Sequence, residues 1–171
     1  LPENQLGLAM TLMIVVSFVF YPVVNYLAKM VGKKRLIVIS FVWMAVVFTM
    51  IYFMGSSIPL SSEHQIYIFI IFYAIPLSAL SILPNAVLAD IADHDAKVSG
   101  VSLEGMFFAA RMFMQKLGQS LGVFLFAACA SLGRSVGDDW GLRLSGIVCT
   151  VRCIAAAVAF SKYKEYSVLV E

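Results

Sequence analysis

The chain has 171 residues, of which 61% are hydrophobic and only 13% charged, and its mean hydropathy is +0.93. A soluble domain carries about 25% charged residues, so this composition excludes a soluble globular domain and indicates an integral membrane protein whose first partner is the lipid bilayer. A net charge of +2, with basic residues scattered rather than clustered among exposed aromatics, excludes a nucleic-acid surface.

Crossing a bilayer core of roughly 30 Å takes about 20 apolar residues at 1.5 Å each. Five runs of that length occur, at about residues 5–28, 36–54, 65–88, 106–130 and 141–161. The first contains Pro22, which predicts a kink unless a neighbouring helix satisfies the freed carbonyl. The third contains Pro76 and Pro84 and is expected to be bent or locally broken. The runs are continuously apolar rather than alternating, so a β-barrel is excluded. Short connections predict that sequential helices are spatial neighbours in an all-α bundle.

Cys129, Cys149 and Cys153 all lie in apolar surroundings without a metal-ligand pattern, and are read as packing residues. Leu1 is followed by no charged, short-core leader, so no signal peptide is expected, and the reading is of a fragment or trimmed chain.

Lys and Arg are retained on the cytoplasmic side of helix ends. The first connection holds Lys29, Lys33, Lys34 and Arg35; the second, residues 55–64, has none; the third has Lys97, the fourth Arg134 and the tail Lys162 and Lys164. That asymmetry predicts a multi-pass cell-membrane protein with the C-terminus cytoplasmic and the N-terminus of this segment outside, as if further helices stood upstream.

Polar residues concentrate between residues 84 and 122, which read as a polar hinge flanked by apolar runs of membrane length. Asp90 and Asp93 are three apart, so they share a helix face, and two such carboxylates are stable together only with a cation nearby. A solvated helix end, a gating salt bridge and a metal site formed with His94 and Asp95 are the alternatives, the last without a familiar ligand spacing. Lys116 lies near the middle of the fourth run, where a charge costs several kcal/mol unless it faces protein or water. Ser120 is one turn on, and Arg111, Gln115 and Gln119 follow at four-residue steps on the adjacent stripe. Such an arc suits the wall of a hydrophilic cavity, its groups donating hydrogen bonds to hydroxyl-rich or anionic solutes. Gly118 and Gly122 form a small-xxx-small pair that permits close helix approach. Arg152, mid-way along the fifth run, has no assigned role. No nucleophile triad, phosphate loop, haem motif or zinc helix is present, so no enzyme is expected.

The segment LADIADHDAKVSGVSLEGMFFAARMFMQKLGQSLG resembles the carboxyl half of the sugar:cation symporters of the melibiose carrier type, the glycoside-pentoside-hexuronide family of the major facilitator superfamily. The family pattern is an Ala-Asp, a second Asp three residues on, a Gly-x-Arg-x-Glu-Gly segment, and a helix with a central lysine followed by glycine. The matching positions are Ala89, Asp90, Asp93, Gly100, Glu104, Gly105, Lys116 and Gly118. Two positions depart from it. Ser102 stands where an arginine is expected, which leaves a weaker inner gate or one that uses Lys97. Arg111 replaces an uncharged polar residue, which implies an anionic sugar such as a uronide or a different hydrogen-bond pattern. LAKMVGKKR also resembles the basic turn between paired helices of the superfamily.

The resemblance implies a polytopic bundle corresponding to the last five of twelve helices. It implies cation-coupled sugar symport by alternating access, with Asp90, Asp93, Glu104 and Lys97 at a cytoplasmic gate and Lys116, Arg111, Gln115, Gln119 and Ser120 lining the cavity. No cofactor is implied beyond a coupling cation, H⁺ or Na⁺, whose site lies mostly in the amino-terminal helices that this segment lacks and needs as partners. The alternative is a stand-alone membrane interaction subunit, or a non-functional remnant of a transporter.

Overall fold

In hydrocarbon a backbone must close its hydrogen bonds within the segment, and long apolar runs do so as helices. The structure, a computed structural model, describes residues 3–53, 62–131 and 140–162. These form five helices: α1 (Glu3–Val31), α2 (Lys33–Phe53), α3 (Ser62–Ser99), α4 (Glu104–Ser131) and α5 (Trp140–Ser161). Among the described residues there is no strand. The protein is an all-α membrane helix bundle. Three stretches are long and apolar enough to cross a membrane on their own: Met10–Val31, Tyr67–Ser99 and Arg143–Ser161. The expectations attached to Arg134, Lys164 and most of the second connection lie outside the described residues.

The local break that the prolines predicted in α3 does not occur: it is one continuous helix through both Pro76 and Pro84. Pro76 has no N–H, so the carbonyl four residues earlier, on Phe72, loses its partner within the helix. The indole Nε1–H of Trp43 on α2 donates to that carbonyl at 3.2 Å, and the two rings stack with centroids 6.2 Å apart. A neighbouring helix thus replaces the missing bond. Pro76 is itself fully buried, as are Ala74 and Ser78 on either side, small residues that let another helix approach closely. The Ser78 hydroxyl donates back to the Ile75 carbonyl at 2.7 Å and adds no unsatisfied donor.

The helix also continues past Leu88 to Ser99, so the acidic segment is helical rather than a polar hinge. It stops at Gly100, whose positive φ of 74° suits glycine, with the Gly100 N–H closing on the Ala96 carbonyl at 3.0 Å. Gly32, at φ 93°, does the same at the end of α1: its N–H reaches the Ala28 carbonyl at 3.1 Å, and α2 starts at the next residue.

That one-residue turn lies beside the densest packing. Val24 and Ala28 of α1, Leu36 and Ile37 of α2, and Ala79 and Leu83 of α3 form a buried cluster, with Phe41, Leu80, Val87 and Phe160 of α5 against it. Sequence order only partly predicts neighbours. The most extensive contact joins α2 to α5, while α1 packs chiefly on α3 and only slightly on α2. Helix α4 touches α5 and α3 at the edge of the bundle.

Two substitutions test this packing. Trp43→Phe keeps the aromatic ring but removes the donor to Phe72, and is expected to lower stability by about 1–2 kcal/mol in unfolding measurements in detergent micelles. Ile37→Ala, at a fully buried position, is expected to cost about 2–4 kcal/mol through the cavity it leaves, whereas Ile39→Ala at a half-exposed position changes stability by about 0.5 kcal/mol or less.

Candidate functional site

Two polar groupings exist, and the structure keeps them apart. The first is at the C-terminal end of α3. Asp90 accepts a hydrogen bond from the Lys33 ammonium at the start of α2, and Asp93 accepts one from Lys97 at 2.7 Å, one turn further along its own helix. The predicted need for cations beside this carboxylate pair is met by two different lysines. Lys97 does not bridge the aspartates, and Lys33, absent from the predicted gate, joins two elements. Its signal in the sequence was the retention of basic residues on one side, which puts the KKR turn and the end of α3 at the same membrane face.

Both pairs are solvent-accessible. The side chains of Lys33 and Asp90 are 34% and 55% exposed, and those of Lys97 and Asp93 67% and 64%. Pairs so exposed are worth about 0–1 kcal/mol. Glu104 opens α4, where a carboxylate favours the positive end of the helix dipole; it is exposed and makes no ion pair among the described residues. Also among the described residues, no group of three or more His, Cys, Asp or Glu side chains is placed to hold a metal ion.

The second grouping runs along α4. Cys129 is its only buried residue among those described. The less exposed positions, Phe107, Phe108, Arg111, Gly122 and Cys129, recur at near-helical spacing and mark the side turned toward the bundle. Gln115 and Gln119 flank that side and are exposed. Lys116 is about 100° around the helix from Gln115 and is exposed, with Ser120 one turn on. The arc therefore has two sectors: Arg111 toward α3 and α5, Lys116 and Ser120 away from them. The Ser120 hydroxyl donates to the Lys116 carbonyl at 3.0 Å, so it offers a solute only its acceptor lone pairs. Lys116 is twelve residues beyond Glu104, about 18 Å along the helix, close to its middle.

Sequence reasoning left Arg152 without a role, and the structure supplies a position for it. A Cβ at Gly122 would meet the Arg152 Nη1 at 3.5 Å, whereas one at Gly118 would meet nothing within 4 Å. The small-xxx-small pair does not act as a pair. Only Gly122 is approached, and by a guanidinium from α5 rather than by a helix backbone. Since Gly122 continues the Arg111, Gln115 and Gln119 side of α4, Arg152 lies at the far end of the same polar stripe. Cys129 is buried, Cys149 and Cys153 are half-buried, and all three are free thiols.

Apolar helices in a bundle, a basic turn ion-paired to an acidic helix end, and cations half-way along two helices define a polytopic membrane protein with a polar stripe along one helix. The family model described as MFS/sugar transport protein matches residues 3–134, and the chain belongs to that family. Membership in a transport family places it outside the enzymes. Over 104 residues it is 30% identical to a protein of Synechocystis sp. described as an uncharacterized symporter, an alignment that covers 52% of this chain and 19% of that protein. The chain thus spans about a fifth of that relative's length. No solved structure matches.

Double-mutant cycles on the ion pairs are expected to give a Lys33–Asp90 coupling of up to about 1 kcal/mol and a Lys97–Asp93 coupling of about 0.3–0.5 kcal/mol, both reduced by added salt. Gly122→Ala makes only ordinary contact and should be tolerated, whereas Gly122→Leu should displace Arg152, seen as faster thiol labelling of Cys153 beside it.

Proposed function

We propose that the complete protein carrying this chain is a cation-coupled sugar symporter working by alternating access, with α4 forming one wall of its solute cavity. The observation that carries this reading is the outward direction of Lys116. A lysine half-way along a membrane helix and turned away from its own bundle cannot face lipid without a cost of several kcal/mol. It needs a wet or protein-lined surface opposite, as helices outside this chain would provide. Transporters of this architecture bind solute near the midplane between two halves that rock about the site.

In this reading the Lys116 ammonium and the Gln115 and Gln119 amides donate hydrogen bonds to sugar hydroxyls. Arg111 and Arg152 add positive charge on the bundle side, which favours an anionic sugar such as a uronide. Ser120 contributes an acceptor. Lys33 holds Asp90, and with it the end of α3, against the turn between α1 and α2, while Asp93, Lys97 and Glu104 complete a cytoplasmic gate. Pairs worth about 1 kcal/mol or less shift a two-state equilibrium only about fivefold, which suits contacts that must open in every cycle. The coupling cation, H⁺ or Na⁺, binds mostly in the helices outside this chain. The protein resides in the cell (inner) membrane with its basic turn cytoplasmic.

In cells expressing the complete protein, Lys116→Ala should reduce coupled sugar uptake to the background of untransformed cells with membrane expression intact. Unchanged uptake would remove Lys116 from the mechanism. A single cysteine at Gln119 should label with a polar maleimide and be protected by the transported sugar class alone; labelling indifferent to every sugar would argue against the cavity.

A further inference from the structure

Between α2 and α5 the bundle has an open apolar groove of about 560 Å³, away from the α4 stripe and the acidic end of α3. Its walls are Val38, Val42 and Val46 on α2 and Ile154, Ala157 and Val158 on α5, and the valines at 42, 46 and 158 are more than half exposed. The polar residues in it ask for no partner. Thr49 donates to the Ala45 carbonyl at 2.8 Å and Thr150 to the Gly146 carbonyl at 2.9 Å, while the two hydroxyls lie 3.3 Å apart across the helix pair. That contact fixes an antiparallel register in which Val38 and Ser161 share one end of the groove. From Met50 to Val38 it runs twelve residues of α2, about 18 Å, close to the depth of one leaflet's hydrocarbon.

The charged end distinguishes this groove from an ordinary lipid-facing surface. Lys34 is one turn before Val38, Arg35 is two turns before Val42, and Lys162 is one turn after Val158. Three cations, two at the start of α2 and one in the turn that closes α5, thus continue the groove's own stripes at its mouth. Lys34 is half-buried, Arg35 and Lys162 are exposed, and none of them has a carboxylate partner among the described residues, in contrast to Lys33 and Lys97.

We propose that this groove binds an anionic phospholipid from the leaflet on the basic side, with an acyl chain along α2 and α5 and its phosphate held by Lys34, Arg35 and Lys162. Basic pockets between membrane helices recognise anionic headgroups in this manner. Lipid tails gain little by leaving other lipid for an apolar groove, so selectivity comes from the headgroup charge and the groove sets where the lipid stands. The proposal does not depend on the transport reading.

The test uses the complete protein, purified and delipidated in neutral detergent. Phosphatidylglycerol, phosphatidylcholine of the same chains, or inorganic phosphate is added, and native mass spectrometry and thermal unfolding are read. Phosphatidylglycerol should be retained and raise the unfolding midpoint, phosphatidylcholine should bind at least about tenfold more weakly, and inorganic phosphate should leave the midpoint unchanged. K34Q/R35Q/K162Q should lose the preference for phosphatidylglycerol. Val46→Trp, which fills the groove and keeps the charges, should lose retention itself. If the triple variant fails to insert, Lys162→Gln alone, clear of the topology-setting turn, should weaken retention. Equal binding of the two lipids, retention indifferent to the Lys162 and Val46 variants, a shift reproduced by phosphate, or crosslinking of a Val46→Cys variant to a second copy in native membranes would each overturn the proposal.

Discussion

The hydrogen bond from Trp43 to the Phe72 carbonyl stands for the constraint on which the bundle depends: inside a bilayer no backbone polar group can turn to water. Without the indole, Pro76 would leave a bare carbonyl in the longest helix of the chain, and the helix would have to bend, hydrate or break. With it, α3 reaches Ser99 unbroken and delivers Asp90 and Asp93 to the membrane face where the α1–α2 turn lies. The serine and threonine hydroxyls follow the same rule. Those of Ser17, Ser40, Thr49, Ser78 and Thr150 all close on carbonyls of their own helices, so the interior keeps few polar demands of its own.

Charge distribution is the second expression of that constraint. Charges at the basic end are in water, where lysines can pair with aspartates loosely. Charges half-way along a helix have no such freedom. Arg152 lies against Gly122 of α4, where an added Cβ would meet its Nη1 at 3.5 Å. Lys116 has no comparable arrangement with α3 or α5, because it is turned away from both. One cation is accommodated against another helix of this chain, and the other is exposed on the outer side of α4.

Family membership and geometry reinforce each other without being the same observation. Residues 3–134 match the MFS/sugar transport family, and the helix at the edge of the bundle is the one whose mid-span polar residues suit contact with a solute. The groove between α2 and α5 lies elsewhere and has a different character, apolar along its length and cationic at one mouth. A bundle can separate these surfaces because α4 lies at its edge, while the groove is lined by α2 and α5 alone.

Helix number, the basic turn and the stripe of Arg111, Gln115 and Gln119 were legible in the sequence, because each depends on hydrophobic run length or on the 3.6-residue repeat. The approximate ends of the helices were legible for the same reason, except at α3, where the charged segment after Leu88 read as a hinge. It is helical up to the stop at Gly100, with Asp90 and Asp93 meeting cations across the turn and one turn away, which run length does not reveal. Which lysine meets Asp90, that Gly122 and not Gly118 is the close approach, and where Arg152 rests all depend on the packing of segments distant in the chain. So does the continuity of α3 through Pro76, since the donor that replaces its lost bond comes from another helix. The sequence by itself determined that this chain forms apolar helices with a basic side and a polar stripe, because those properties are local; tertiary structure decided which of its charges find partners, because partners belong to other helices.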